Sequence, residues 1–173
     1  SIPKGSMSYN KDNLFLQSQL PKFVIVGMVK TQAYNGVLAD DPFYFNHFDV
    51  SSVGLYKDGQ SAPYREIYEP NFEKDLFVRD YVKSIVHNTQ HLNTNVNDGI
   101  TLDEFKQGYT FFTFNLTPDF DMNQTQQASG GNLRLELRFS KPVVDPINVI
   151  VYATFDATLQ ITRDNQVICD HVH

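Results

Sequence analysis

Hydrophobic and polar residues alternate along several stretches of the chain, the pattern of β-strands that bury one face. The clearest stretch is "LRLELRF", residues 133–139. Four of its side chains are predicted to face inward: Leu133, Leu135, Leu137 and Phe139. The run "KFVIVGMVK", residues 22–30, is almost continuously apolar and predicts a buried strand, and its Gly27 indicates a bulge or a close backbone approach. "YTFFTFNL" predicts a further strand.

The same alternation continues close to the end of the sequence, in "NVIVYATFDATLQITRDNQVICD". We expect residues 148–162 to form one long strand through the centre of a sheet, because buried backbone groups need hydrogen-bond partners along its whole length. Asp164 and Asn165 predict a tight turn. This turn would pass "QVICD" to a neighbouring strand edge or to a partner chain.

Helical signals are confined to two segments. Residues 71–92 predict the one clear helix, with Asn71 as the N-cap. Its apolar stripe is formed by Leu76, Phe77, Tyr81 and Ile85. Further along, Thr101 and Glu104 have the spacing of a capping box and Gly108 follows, so one or two helical turns are predicted there.

The order of these elements predicts an all-β fold. "KDG" at residues 57–59 is a strong β-hairpin signal, and about seven or eight strands are separated by loops with no repeat and no alternating βα pattern. We therefore predict an antiparallel β-sandwich of jelly-roll type with one inserted helix. Residues 1–21 are predicted to be an N-terminal lead-in segment, and residues 22–173 a single jelly-roll domain.

Composition and charge narrow the function classes. The 14 Phe and 9 Tyr residues, with no Trp, favour a β-sheet core, and a net charge of −6 argues against a general nucleic-acid or membrane-surface binder. The single Cys excludes an internal disulfide framework. No apolar run approaches the ~20 residues of a membrane helix. The N-terminus lacks the pattern of a secretion signal, so we expect a protein made inside the cell, with no membrane span.

Candidate catalytic and metal-binding residues are few. His87 and His91 have the four-residue spacing of some zinc sites, but their position at the end of the predicted helix favours interaction with the helix dipole. Asp119 and Asp121 lack the full pattern of a calcium loop, so a solvated loop is the favoured interpretation. His171 and His173 fall in the terminal tail. We predict no enzyme activity, no cofactor and no metal.

The residues that need an explanation are aromatic and lie in a predicted loop. Phe43, Tyr44, Phe45 and Phe48 fall within six positions of "DPFYFNHF". A monomer that exposes apolar loops and unpaired strand edges is prone to association. We therefore predict that these four residues form an assembly interface.

Five stretches occur in the same order in a known family: "AYNGVLADDPFYFNHFDVSSVGLYKDGQ", "YEPNF", "GYTFFTFNLTPD", "LRLELRFS" and "NVIVYATFDATLQITRDNQVI". In addition, "IPKGSMSYNKDNLFLQSQLP" matches the family's Ile-Pro-x-Gly-x-x-Ser pattern before "NLF" and "QLP". The chain resembles the C-terminal half of the major capsid protein, or hexon, of Maverick/Polinton elements and adintoviruses. The resemblance covers essentially all 173 residues, and the family's first jelly roll has no counterpart in this sequence.

The resemblance implies a structural function without chemistry. Its members fold as double jelly rolls, and three chains form a pseudo-hexagonal capsomer that tiles an icosahedral shell. The implied partners are further copies of the chain in a homotrimer, neighbouring capsomers and a minor or penton capsid protein, and the implied location is the virion capsid. Two alternatives stay open: a lectin-like or receptor-binding jelly roll, and a cupin-type enzyme with a metal inside the barrel.

Overall fold

A computed structural model of the protein describes residues 1–15, 20–62, 67–87, 99–117, 130–155, 158–161 and 167–170. Within these ranges the chain forms ten strands: β1 (Ser8–Lys11), β2 (Phe23–Lys30), β3 (Val50–Lys57), β4 (Gln60–Ser61), β5 (Ile67–Tyr68), β6 (Phe111–Asn115), β7 (Leu133–Phe139), β8 (Ile147–Thr154), β9 (Thr158–Ile161) and β10 (Val167–Asp170). The helices are α1 (Thr31–Tyr34), α2 (Val78–Tyr81), a π-helix (Val82–His87) and α3 (Leu102–Lys106). None of these helices is long and apolar enough to cross a membrane.

The strands pair as two main sheets and one separate hairpin. Sheet A has the order β6-β2-β8, and sheet B has the order β1-β7-β3-β4, with β5 also paired to β3. Strands β9 and β10 pair with each other. Every pairing between these strands is antiparallel. The predicted antiparallel all-β class is therefore confirmed.

The inner faces of the two sheets share one hydrophobic core. In β7 the predicted alternation is confirmed, since Leu133, Leu135, Leu137 and Phe139 are all buried. Sheet A contributes fully buried side chains from β2 and β6: Val24, Val26, Met28, Phe112 and Phe114. Burying one such side chain contributes about 1.5–3 kcal/mol, so the sandwich is held mainly by this layer.

The hairpin predicted at residues 57–59 is confirmed. Lys57 pairs with Gln60, which leaves Asp58 and Gly59 as a two-residue turn. Both turn residues have positive φ, 49° and 88°. A two-residue turn of this geometry matches the right-handed twist of the flanking strands, which is why Asp-Gly is favoured in it.

The predicted lead-in segment, residues 1–21, contributes to both sheets. Strand β1 lies against β7. Ile2 is fully buried, and its backbone exchanges two hydrogen bonds with Ile147 at the start of β8, with N···O distances of 2.7 and 3.0 Å. The first residues of the chain are thus part of the sandwich.

The helix predicted for residues 71–92 begins later than expected. The Asn71 side chain accepts a hydrogen bond from the Lys74 N–H at 3.0 Å, which closes a turn instead of capping a helix. Asp75 then adopts a left-handed φ of 54°, and α2 begins only at Val78. Consequently Leu76, predicted in the buried stripe, is exposed.

The other members of that stripe behave as expected. Phe77 and Ile85 are buried, and Tyr81 is half-buried against the core. The capping box before α3 is confirmed, because the Thr101 hydroxyl accepts from the Glu104 N–H and the Glu104 carboxylate accepts from the Thr101 N–H.

The prediction of one long central strand at residues 148–162 is wrong. Strand β8 ends at Thr154, and β9 is a separate strand that pairs with β10. The central strand of sheet A is β2, and β8 lies at the end of the strand order. Strand position depends on which distant segments pair, and alternation does not encode this. The turn predicted at residues 164–165 lies outside the described residues.

The opposite edge of sheet A, strand β6, is covered by the π-helix. The Ser84 hydroxyl donates to the Phe111 carbonyl at 2.6 Å and accepts from the Thr113 N–H at 3.1 Å. The Tyr68 hydroxyl donates to the Thr113 carbonyl. Side chains therefore supply the hydrogen bonds that a further strand would otherwise make.

Replacing Ser84 tests this edge. The substitution Ser84→Ala removes buried hydrogen bonds to β6, and we expect it to lower the free energy of unfolding by about 1–3 kcal/mol. The matched control is Ser51→Ala, whose hydroxyl donates to the Arg138 carbonyl in an exposed position and whose loss is expected to cost less than about 0.5 kcal/mol. Urea unfolding measures both; equal stability of the two variants would contradict the assignment.

Candidate assembly surface

The aromatic loop, residues 43–48, is attached to the chain that precedes β6. The Phe45 N–H donates to the Gly108 carbonyl at 2.8 Å, and the Thr110 N–H donates to the Phe45 carbonyl at 3.0 Å. The Asn46 N–H donates to the Met28 carbonyl at 3.1 Å. Phe45 thereby forms a parallel bridge with Tyr109. These bonds attach the backbone of Phe45 and Asn46 to β2 and to the segment before β6.

Phe45 and Phe48 pack on the domain itself. A Cβ atom at Gly27 would lie 2.8 Å from Cδ1 of Phe45, so the glycine allows this ring to lie against the backbone of β2. The close approach predicted at Gly27 is therefore confirmed. The centroids of the Phe45 and Phe111 rings are also 4.8 Å apart. Phe48 is half-buried against the core.

Phe43 and Tyr44 point outward. Phe43 is 74% exposed and Tyr44 is 47% exposed. The Tyr44 ring crosses Gly108, where φ is 108° and a Cβ atom would lie 2.7 Å from Cε2 of the ring. Tyr109, which follows, is also exposed. Phe43, Tyr44 and Tyr109 are called the aromatic rim below. Of the four residues predicted at an interface, two belong to this rim.

The segment before the loop adds apolar residues that sequence reasoning missed. Tyr34 at the end of α1 and Val37 are exposed, and Leu38 is fully exposed. A cleft of about 290 Å³ lies between α1 and the aromatic loop. At this cleft, Nζ of Lys30 lies 3.9 Å from Oδ1 of Asp40. Helix α1 ends at Tyr34, so Val37 and Leu38 lie in the irregular segment after it, and no local pattern in the sequence indicated their exposure.

His47 connects the aromatic loop to the helical region. Its ring stacks on Phe72, with 4.1 Å between ring centroids. Its Nδ1 accepts a hydrogen bond from the Asp49 N–H at 2.9 Å. Burial lowers the pKa of His47 below 6.5; the Asp49 carboxylate opposes this effect and Lys106 reinforces it. The Asp49 carboxylate also lies 3.6 Å from Nδ1, but an ion pair there would need a proton on the nitrogen that accepts the backbone hydrogen bond. The neutral imidazole therefore fits this site.

The lowered pKa makes stability depend on pH. As the pH falls below 6.5, His47 takes up a proton in the unfolded chain but not yet in the folded chain. The free energy of unfolding is therefore unaffected by His47 above pH 6.5, and it decreases as the pH falls from 6.5 toward the lower pKa that His47 has in the folded chain. We expect wild type to lose more stability than His47→Gln between pH 7 and pH 5. Urea unfolding midpoints across that range provide the measurement, and parallel pH profiles would refute the assignment.

In the described ranges, no three His, Cys, Asp or Glu side chains lie close enough together to hold a metal ion. His87 is the last residue of the π-helix. The other candidates from the sequence lie outside the described residues: His91, Asp119, Asp121, His171 and His173.

Comparison with known proteins gives one informative similarity. The chain is 29% identical over 166 residues to an uncharacterized protein of Caenorhabditis elegans, a match that covers 92% of this chain and 39% of that protein. The chain thus spans well under half the length of this relative. No family model matches the sequence, and no solved structure matches it.

Proposed function

We propose that this chain is a jelly-roll capsid domain, a structural protein that acts by self-assembly. In this proposal it is the second barrel of a double jelly-roll capsid protein related to those of Maverick/Polinton elements. Three such proteins would form a capsomer, and capsomers would tile a virion shell made inside the host cell, together with a minor or penton capsid protein. The domain itself carries out no chemistry.

The strand pairing supports the jelly-roll part of the proposal. A jelly roll is a long antiparallel hairpin rolled up, so successive strand pairs along the hairpin alternate between the two sheets. Here β2 pairs with β8 in sheet A, and the inner pair, β3 with β7, lies in sheet B. Other pairings depart from the simplest scheme: β6 lies beside β2, β1 lies beside β7, and β4 and β5 both lie beside β3.

The observation that carries the assembly part is the aromatic rim. Phe43 and Tyr44 are exposed, and the two residues that follow them, Phe45 and Asn46, are bound through their backbone to Gly108, Thr110 and Met28. Exposed apolar rings gain free energy when a partner removes them from water, and aromatic residues are enriched at interface centres. The rim therefore suits a permanent contact between copies.

The nematode relative is compatible with a longer capsid protein. More than half of that protein lies outside the match, because 166 matched residues make up 39% of it. The first barrel of a double jelly roll would fit in the unmatched part of that protein. In the proposed protein, the two barrels and three chains together bury surfaces that one barrel exposes, so we expect this chain alone to be monomeric or weakly associated.

Substitutions in the rim test the assembly surface. We expect the double variant Phe43→Ser/Tyr44→Ser, made in the complete reading frame, to reduce capsomer formation at least about tenfold, equivalent to the loss of one good interface anchor. The matched control is Val144→Ser, because Val144 is 72% exposed and lies outside the aromatic loop. The control should unfold at the wild-type urea concentration. The rim variant should unfold at a slightly lower one, because Phe43 is 74% exposed but Tyr44 is 47% exposed and packs on Gly108.

Electron microscopy and sedimentation provide the readouts. The proposal predicts pseudo-hexagonal capsomers for wild type and for the control, and mainly single chains for the rim variant. If the wild-type product forms no capsomers, the capsid function is refuted. If the rim variant assembles as well as the control, the rim is not part of the interface.

A lectin-like function is the second candidate, and the cleft beside α1 favours it. The cleft is lined by the ring of Tyr44, the carboxylates of Asp40 and Asp41 and the amide of Asn46. Sugar sites combine a ring with carboxylate or amide groups in one groove, so this lining is chemically suitable. Glycan-array binding that Asp41→Ala abolishes would support this function; an array without signal, combined with capsomer formation, would exclude it.

A further inference from the structure

The outer edge of β8 has a defined pattern of backbone groups. Ile2 and Ile147 exchange two backbone hydrogen bonds on the side of β8 opposite β2. Because backbone groups in an antiparallel strand alternate between its two edges, the N–H and C=O groups of Val149, Val151 and Ala153 also face away from β2. Those of Ile150 and Tyr152 face β2.

Within the described part of the chain, this edge lacks the hydrogen-bond partners that the other edge of sheet A has. Among the described residues, no strand pairs with β8 on this side, and no backbone hydrogen bond reaches Val149, Val151 or Ala153. At the β6 edge, by contrast, Ser84 and Tyr68 bind the corresponding groups. Among the described residues, the backbone groups at the β6 edge of sheet A thus have side-chain partners, and those of Val149, Val151 and Ala153 at the β8 edge do not.

The edge also lacks the features that protect exposed strands from association. Proteins protect edges with Lys, Pro, bulges or very short strands. Strand β8 has eight residues, pairs with β2 without a register shift, and contains neither a charged residue nor a Pro. Such an edge is a suitable template for another strand, the binding mode known as β-augmentation.

The chain itself contains a hairpin that fits this edge. Strands β9 and β10 pair only with each other among the described strands. An isolated two-stranded hairpin is marginally stable in water, so it gains from pairing with a further strand. Its strand sequences, "TLQI" and "VICD", contain strand-forming residues and one charge. The hairpin follows β8 after residues 155–157 but does not pair with β8 of its own chain.

We propose that the outer edge of β8 binds the β9–β10 hairpin of a second copy. The backbone groups of Val149, Val151 and Ala153 then gain partners, and the hairpin extends sheet A across the boundary between copies. A second copy is the chosen occupant because this inference rests on the proposed self-assembly. Each copy carries one edge and one hairpin, so the contact is heterologous and can close into a ring.

Amide hydrogen exchange tests the edge with a control inside the same strand. In wild type, the N–H groups of Val149, Val151 and Ala153 should exchange fast in dilute solution and at least about tenfold more slowly when copies associate at high concentration. The N–H groups of Ile150 and Tyr152 face β2 and should be protected at every concentration. This alternation is the signature of strand addition to β8.

A spin label identifies the occupant. Cys169 lies in β10 and is the only cysteine in the sequence, so a nitroxide can be attached there alone. Copies that carry the nitroxide and are not enriched in ¹⁵N are mixed with ¹⁵N-enriched copies that carry no nitroxide. Broadening of the ¹⁵N signals of Val149, Val151 and Ala153 shows that a hairpin of one copy reaches the β8 edge of another.

Substitutions then test the energetics in the full chain. Val151→Pro removes an N–H that faces away from β2, and we expect it to weaken association at least about tenfold in sedimentation. If the proline variant fails to fold, Tyr152→Lys replaces it. This substitution places a charge beside the edge, and it removes no buried group because Tyr152 is 59% exposed. Val144→Lys is the matched exposed control and should associate like wild type.

The outcomes separate this inference from the proposed function. If the three edge amides stay unprotected in associated protein, or are protected equally at the lowest concentration, the second-copy hairpin is refuted. Capsomers of the complete reading frame that persist in Val151→Pro and Tyr152→Lys would refute the inference and leave the capsid function standing. A wild-type product without capsomers refutes the capsid function, whatever the exchange pattern of β8.

Discussion

The fold depends on the hydrogen bonds of sheet A, because a strand buried between two layers needs partners for its backbone on both edges. Strand β2 obtains them from β6 and β8. The far edge of β6 obtains them from Ser84 and Tyr68, side chains that lie elsewhere in the sequence. At β8 the described chain supplies only Ile2. The same requirement that holds the sheet together therefore indicates where it is incomplete.

The aromatic side chains fall into two groups in the structure. One is a cluster that joins the helices to the sheets: Phe72 lies 5.0 Å from Phe77 between ring centroids, and Phe105 lies 6.2 Å from Phe112. Stacked and edge-to-face rings at these distances stabilise beyond the area they bury. The other group is the aromatic rim. His47, stacked on Phe72, links the two, so the position of the rim loop depends on the packing of the cluster.

The sequence predicted the features that are encoded locally. The alternation of β7, the Asp58-Gly59 turn and the capping box of Thr101 and Glu104 each depend on a few neighbouring residues. The start of α2 was not predictable in this way, because the buried Phe72 and the left-handed Asp75 belong to a turn set by tertiary packing. The central position of β2 and the edge position of β8 depend on pairings between distant segments.

The candidate surface shows the same division. Clustered rings in a loop indicated that the loop was special, but the four rings are equivalent in the sequence and differ in the structure. Two of the rings depend on glycines: Gly27 lets Phe45 pack against β2, and Gly108 lets the Tyr44 ring lie close to the backbone while remaining exposed. Neither contact is local, so the inward and outward rings could be separated only after folding.

Strand addition and side-chain contacts differ in what they contribute to assembly. A bare strand edge accepts almost any extended segment, because backbone groups are the same in every sequence; it supplies affinity with little selectivity. An uncharged edge such as that of β8 would therefore be hazardous as the sole contact. Exposed rings such as those of the aromatic rim add side-chain contacts that can distinguish a sister copy from other chains. In the proposed shell, the edge and the rim are useful together, and each compensates for what the other lacks.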